Sequence, residues 1–172
     1  FRPVEVLLSG LNRPGERHGT KYTYTAPGYR LKYKDMKDYR NETGRKLEIL
    51  MEDKPTGLEV CSNIQFYDGI SVIRSWTELK NNGEEDLGVE YVSSFALLGI
   101  DKEGLLSTDE KLEVLIARNA WQKELIWNRF SMDQLGMSIS QPDKVRRSSQ
   151  TISVGNTGNW STKNYLPMGC LK

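Results

Sequence analysis

Residues 57–98 read GLEVCSNIQFYDGISVIRSWTELKNNGEEDLGVEYVSSFALL, and the fold follows from how this stretch is divided. Asp68-Gly69 and Asn81-Asn82-Gly83 are the punctuation. Asp-Gly and Asn-Gly supply residues that tolerate positive φ, which tight hairpin turns require. Before the first turn, Leu58, Val60, Ile64 and Phe66 alternate with Glu59, Asn63 and Gln65. After the second, Leu87, Val89, Tyr91, Phe95 and Leu97 alternate with Glu90 and Ser94. A period of two places each apolar set on one face of a sheet. In the middle run Ile70, Val72 and Trp76 fall on one face and Ile73 and Leu79 on the other. A strand apolar on both faces belongs inside a layered structure. The expectation is a central antiparallel meander that the rest of the chain must cover, with Trp76 in the core.

Working outward, Arg45 to Asp53 alternates Leu47, Ile49 and Met51 against Lys46, Glu48 and Glu52, and Lys54-Pro55-Thr56-Gly57 turns it into the meander. Three tight turns in succession then join four antiparallel strands. Pro3 to Leu8 alternates Val4, Val6 and Leu8 and reads as a first strand. Lys21 to Thr25 reads as a strand, followed by a Pro27-Gly28 turn and a second strand. The segment 107–130 has a helix-like start, but Leu112, Val114 and Ile116 alternate, so two strands are expected there rather than one helix. Gly136 to Lys144 reads as loop, Ser149 to Val154 as a short strand, and the Gly-, Asn- and Ser-rich Gly155 to Gly169 as mostly loop. Regular turn spacing with few helical segments predicts an all-β sandwich of more than eight strands.

The 172 residues suit a single domain, 1–172. A formal net charge of +1 argues against nucleic acid or an anionic membrane as a partner, and no apolar run is long enough to span a bilayer. The Tyr- and Lys-rich stretch from Arg17 to Arg40 could serve single-stranded nucleic acid, but Asp35, Asp38 and Glu42 dilute its charge, so a solvated sheet edge is the better reading. The absence of a signal-peptide pattern favours the cytoplasm. Starting at Phe1 and stopping at Lys172, just after an apolar segment, the chain reads as a fragment of a longer one. Cys61 and Cys170 are expected to be free thiols. The sequons at Asn41 and Asn159 matter only in a secreted eukaryotic chain.

Chemistry is harder to find. The single histidine, His18, and the lack of a cysteine pair at ligand spacing leave no metal site, and no cofactor is implied. There is no nucleophile motif and no phosphate-binding glycine loop. Acids are plentiful, yet Glu124, between Trp121 and Trp127, is the only one flanked by two large aromatics, and a structural role suits it better than catalysis. Trp121 fits a core or an interface. Trp160 sits among small polar residues in GNWST, where a β scaffold concentrates binding, so Trp160 with its neighbours Asn159 and Ser161 is the candidate contact with a sugar or another domain.

The run YDGISVIRSWTELKNNGEEDLGVEYVSSFAL resembles the amino-terminal domain of bacterial and fungal α-galactosidases of glycoside hydrolase family 36. AWQKELIW, SMDQLGM and GNTGNWSTKNYLPMG follow in the matching order. The resemblance implies a large antiparallel β-supersandwich like those of the galactose mutarotase superfamily. It implies a catalytic (β/α)8 barrel after Lys172, which would hold the family's aspartate nucleophile and acid/base, so no catalytic residue is carried onto this chain. The fragment would then be no enzyme itself, although the full-length protein would be an α-galactosidase-type glycoside hydrolase. Its partners would be its own barrel, α-galactosides in the full-length enzyme, and further copies in a homo-oligomer. The alternative is a self-sufficient carbohydrate-binding module.

Overall fold

A computed structural model describes residues 3–11, 26–97, 112–136, 152–156 and 163–172. These residues are nearly all β with antiparallel pairing, which is the expected fold class. They divide into two compact units, one drawn from 3–11 and 26–97, the other from 112–136, 152–156 and 163–172. Among the described residues no helix is long and apolar enough to cross a membrane.

In the first unit, β1 (Val6–Leu8) is followed by the one-turn helix α1 (Ala26–Arg30). The strands β2 (Lys32–Asn41), β3 (Gly44–Asp53), β4 (Leu58–Tyr67) and β5 (Ile73–Asn81) come next, and β6 (Val89–Val92) closes the unit. The strands β2-β3-β4-β5 form a four-stranded antiparallel sheet in that order. Its register pairs Met51 with Val60 and Val60 with Leu79. Alternation then sends Ile49, Met51, Leu58, Val60 and Leu79 to one face. Val4, Val6 and Leu8 lie on that face, and with Met51, Leu58 and Val60 they form the buried core. Full burial of a Val or Leu side chain is worth about 1.5–3 kcal/mol, so this small group supplies much of the cohesion between the layers.

The chain departs from the expected meander after β5. The Asn81-Asn82-Gly83 segment does not return along β5; β6 pairs antiparallel with β1, Val6 opposite Val92. Asn82 N–H donates to Gly57 O at 3.0 Å, tying two turns together. Gly57 has φ +71°, and a Cβ there would meet Gly83 N at 2.6 Å, so this close approach needs glycine. The strand β5 is therefore an edge of its sheet, not an interior strand, and Ile70 and Val72 precede it as exposed residues of the connection. Ser75 and Thr77 hydroxyls on that edge donate to Ser94 O and Ser93 O.

Two further readings change. Pro27-Gly28 is part of α1 rather than a turn between strands, and Lys21 to Thr25 lie outside the described residues. Proline costs little there, because the first helical turn has no use for its missing N–H. The helix holds Arg30 against Asp53, with Nε and Nη2 each 2.8 Å from a carboxylate oxygen. Asp53 is fully buried and also accepts from Thr56 Oγ1 at 2.7 Å. Trp76 is not in the core. It shares the outer face of the sheet with Asn63, Gln65 and Glu78, half-buried. There Lys46 Nζ lies 5.0 Å and Arg74 Cζ 5.3 Å from its ring centroid, and its Nε1–H donates to Glu78 at 2.8 Å.

The second unit is a three-stranded antiparallel sheet, β7 (Glu113–Ala120), β8 (Lys123–Ser131) and β9 (Tyr165–Leu171), in the order β8-β7-β9. The segment 107–130 thus holds two strands over its described part, as the alternation predicts. The hairpin turns at Trp121-Gln122, with Gln122 at φ +60°. The Gly155 to Gly169 stretch, expected to be mostly loop, contributes most of β9. Pro167 is compatible with this because β9 is an edge strand and one side of it needs no ladder donor. Of the expected strand at Ser149 to Val154, residues 149–151 lie outside the described residues and Ile152 to Val154 have no regular structure.

Candidate functional site

The clearest site-like feature of the second unit is a concavity of about 390 Å³ lined by Arg118, Asn119, Ala120, Ile126, Asn128, Asn164 and Tyr165. Its walls follow from register. Arg118 pairs with Ile126 and with Tyr165, and Ile116 pairs with Asn128, so side chains from all three strands reach one face. A register shift between Arg118 and Ala120 lets Asn119 join them. Opposite that shift, Leu125 has φ +56°, a left-handed conformation costing a branched residue about 1–2 kcal/mol. Strain of this kind persists where the surroundings over-determine it, and it often flanks sites.

The rim is fastened by Asn156. Its Oδ1 accepts from Asn164 N–H at 2.8 Å and Tyr165 N–H at 2.9 Å, while its Nδ2 donates to Tyr165 O at 2.8 Å. Asn119 N–H donates to Asn164 O at 3.0 Å. These bonds fix the start of β9 beside the bulge in β7. Arg118 extends over Tyr165, its Cζ 5.6 Å from the ring centroid.

The lining is rich in amides, each with donors and an acceptor, beside an aromatic ring and one guanidinium. No carboxylate lines it among the described residues. Such a surface can hydrogen-bond hydroxyls and carbonyls and can pack on an apolar ring face.

Of the residues singled out from sequence, Asn159, Trp160 and Ser161 lie outside the described residues, as does His18. The described residues on either side of the first three, Asn156 and Asn164, are the ones bonded together at the rim. Glu124 is exposed on β8, and Trp121 is 77% exposed at the hairpin tip. The concavity residues themselves were not legible as a set. Arg118 and Asn119 belong to no motif, and Asn128 and Asn164 come from segments far apart in sequence.

The outer face of the first unit's sheet is polar but largely satisfied internally. Glu48 accepts from Tyr39 Oη at 2.7 Å and from Lys46 Nζ at 2.7 Å. The Lys46 ammonium, then the Tyr39 hydroxyl, hold the Glu48 carboxyl below its usual range. Burial, reinforced by Glu48 and Glu78, pushes the Cys61 thiol up, so it is a poor nucleophile. Cys61 and Cys170 are both free. Among the described residues no group of three or more His, Cys, Asp or Glu is placed to hold a metal ion.

No family model, curated protein or solved structure matches this chain.

Proposed function

We propose that this chain is a non-catalytic, carbohydrate-contacting β domain, the amino-terminal part of an α-galactosidase-like retaining glycoside hydrolase. The observation that carries this reading is the amide-lined concavity, which has no carboxylate among the described residues. A retaining glycosidase needs two carboxyl groups about 5–5.5 Å apart across the bond to be cut. The described lining of Arg118, Asn119, Asn128, Asn164 and Tyr165 suits gripping a sugar and supplies no such carboxyl pair. The cleaving aspartates would then belong to a barrel outside these residues, on which this domain packs while shaping the sugar pocket or an oligomer contact. The resemblance of the 67–97 run to family 36 and the antiparallel all-β fold support the same reading.

A self-sufficient carbohydrate-binding module is the second reading, favoured by the 77% exposure of Trp121. Calorimetric titration with galactose, melibiose and raffinose tests the shared part. Saturable binding lost on Asn128→Ala supports sugar contact at the concavity, and binding unchanged in that variant refutes it. Turnover of a chromogenic α-galactoside by this chain, abolished by replacing one of its own acids, would overturn the non-catalytic assignment.

A further inference from the structure

Arg118 is the only charged side chain among the described residues that line the concavity. The arginines Arg30, Arg40, Arg45 and Arg129 each meet a carboxylate, Asp53, Asp68, Asp38 and Glu113 respectively. Arg118 meets none among the described residues; its recorded contact is the Tyr165 ring. Arg74 also stacks on an aromatic, Trp76, and both arginines are exposed, but Arg74 shares its ring with Lys46, whereas Arg118 lines the concavity. At the concavity the stack steadies a long side chain while leaving the guanidinium donors uncommitted. A planar guanidinium presents a fork that matches a carboxylate in a bidentate pair.

The groups around it suit the rest of a ligand. The side-chain amides of Asn128 and Asn164 make no hydrogen bond among the described residues, so they can answer hydroxyl groups. Ile126 and Tyr165 offer apolar surface for the C–H face of a ring. A concavity of about 390 Å³ is at the small end of ligand sites and suits one or two sugar rings.

We infer that this concavity binds a sugar acid, a uronic-acid unit whose carboxylate pairs with Arg118 while its hydroxyls meet the asparagine amides. The inference rests on the sugar-contacting reading of the same site and narrows its ligand class from neutral to acidic sugars.

The test is titration of the whole chain, at fixed ionic strength and neutral pH, with galacturonate, galactose and acetate, repeated on Arg118→Gln. A hydrogen bond to a charged group predicts that galacturonate binds about tenfold or more tighter than galactose, and far tighter than acetate. In Arg118→Gln that advantage disappears, galacturonate falling to the affinity galactose has for the same variant, with an unchanged circular dichroism spectrum as the folding control. Equal affinity for galactose and galacturonate overturns the acid preference and leaves the sugar reading standing. Acetate binding as tightly as galacturonate overturns the sugar part. Binding of none of the three overturns both readings, and an advantage for galacturonate that persists in Arg118→Gln overturns the pairing of its carboxylate with Arg118.

Discussion

Replacing Arg30 by alanine isolates the cost of a stranded buried charge. In the native unit, α1 delivers the guanidinium to Asp53, and the two 2.8 Å bonds neutralise a carboxylate that has no access to solvent. Arg30→Ala removes both and leaves Asp53 with Thr56 Oγ1 at 2.7 Å as its remaining side-chain donor. Breaking a buried pair by removing one partner costs about 3–5 kcal/mol, because the other charge stays behind. The Arg30 side chain is 33% exposed, so water can reach part of the vacated space and soften the loss. The expected destabilisation is therefore about 2–3 kcal/mol, just below that range. Urea denaturation followed by tryptophan fluorescence measures it as a lower midpoint at unchanged slope. Adding Asp53→Asn should recover part of the loss, since the stranded charge is gone while the Thr56 bond remains available. A loss below about 0.5 kcal/mol would refute the argument, because that is the size of an exposed pair. So would a double variant less stable than Arg30→Ala alone.

Three more outcomes are expected. The Glu48 carboxyl is held down in the folded state by Lys46 and Tyr39, so its contribution is present above the ordinary carboxylate range and is lost as pH falls through the depressed value. Glu48→Gln should therefore show a shallower loss of stability on acidification below about pH 5 than the parent, read from thermal melts across pH, and an identical acid limb would contradict it. Leu125→Gly frees a residue at φ +56° that is 48% exposed; relief of about 1–2 kcal/mol against a glycine penalty of about 0.5–1 leaves a net gain between about 0 and 1.5 kcal/mol, and a clear drop in midpoint would contradict the strain assignment. Iodoacetamide at pH 8 should label exposed Cys170 before half-buried Cys61, whose thiol is pushed up by burial, Glu48 and Glu78; peptide mapping over time reads the order.

Local pattern carried the strands well and their partners poorly. Alternation along Arg45 to Asp53 and Leu58 to Phe66 is strong, and Asp68-Gly69 sits where the chain reverses, with Gly69 at φ +78°. Asn81-Asn82-Gly83 carries an equally strong turn signal, but its groups are spent elsewhere. Asn81 Oδ1 accepts from Gly83 N–H at 2.9 Å, its Nδ2 donates to Glu85 O at 2.7 Å, and Asn82 binds Gly57. The chain is led away to β1, a pairing of Val6 with Val92 that no short window reveals. For Trp76 the information was present: Arg74, Glu78 and Lys80 share its parity, and three charged neighbours mark a solvent face more firmly than Ile70 and Val72, which precede the strand. The concavity is different in kind. It needs a register shift at Arg118–Ala120 and a strand from a Gly- and Pro-containing segment, neither of which periodicity announces.

The three bonds made by Asn156 have a consequence for engineering. They tie residue 156 to the start of β9 through one side chain, so Asn156→Ala would release 164 and 165 from that anchor in a single step. A label or fused peptide is better attached away from Asn156, where β9 keeps both this anchor and its pairing with β7.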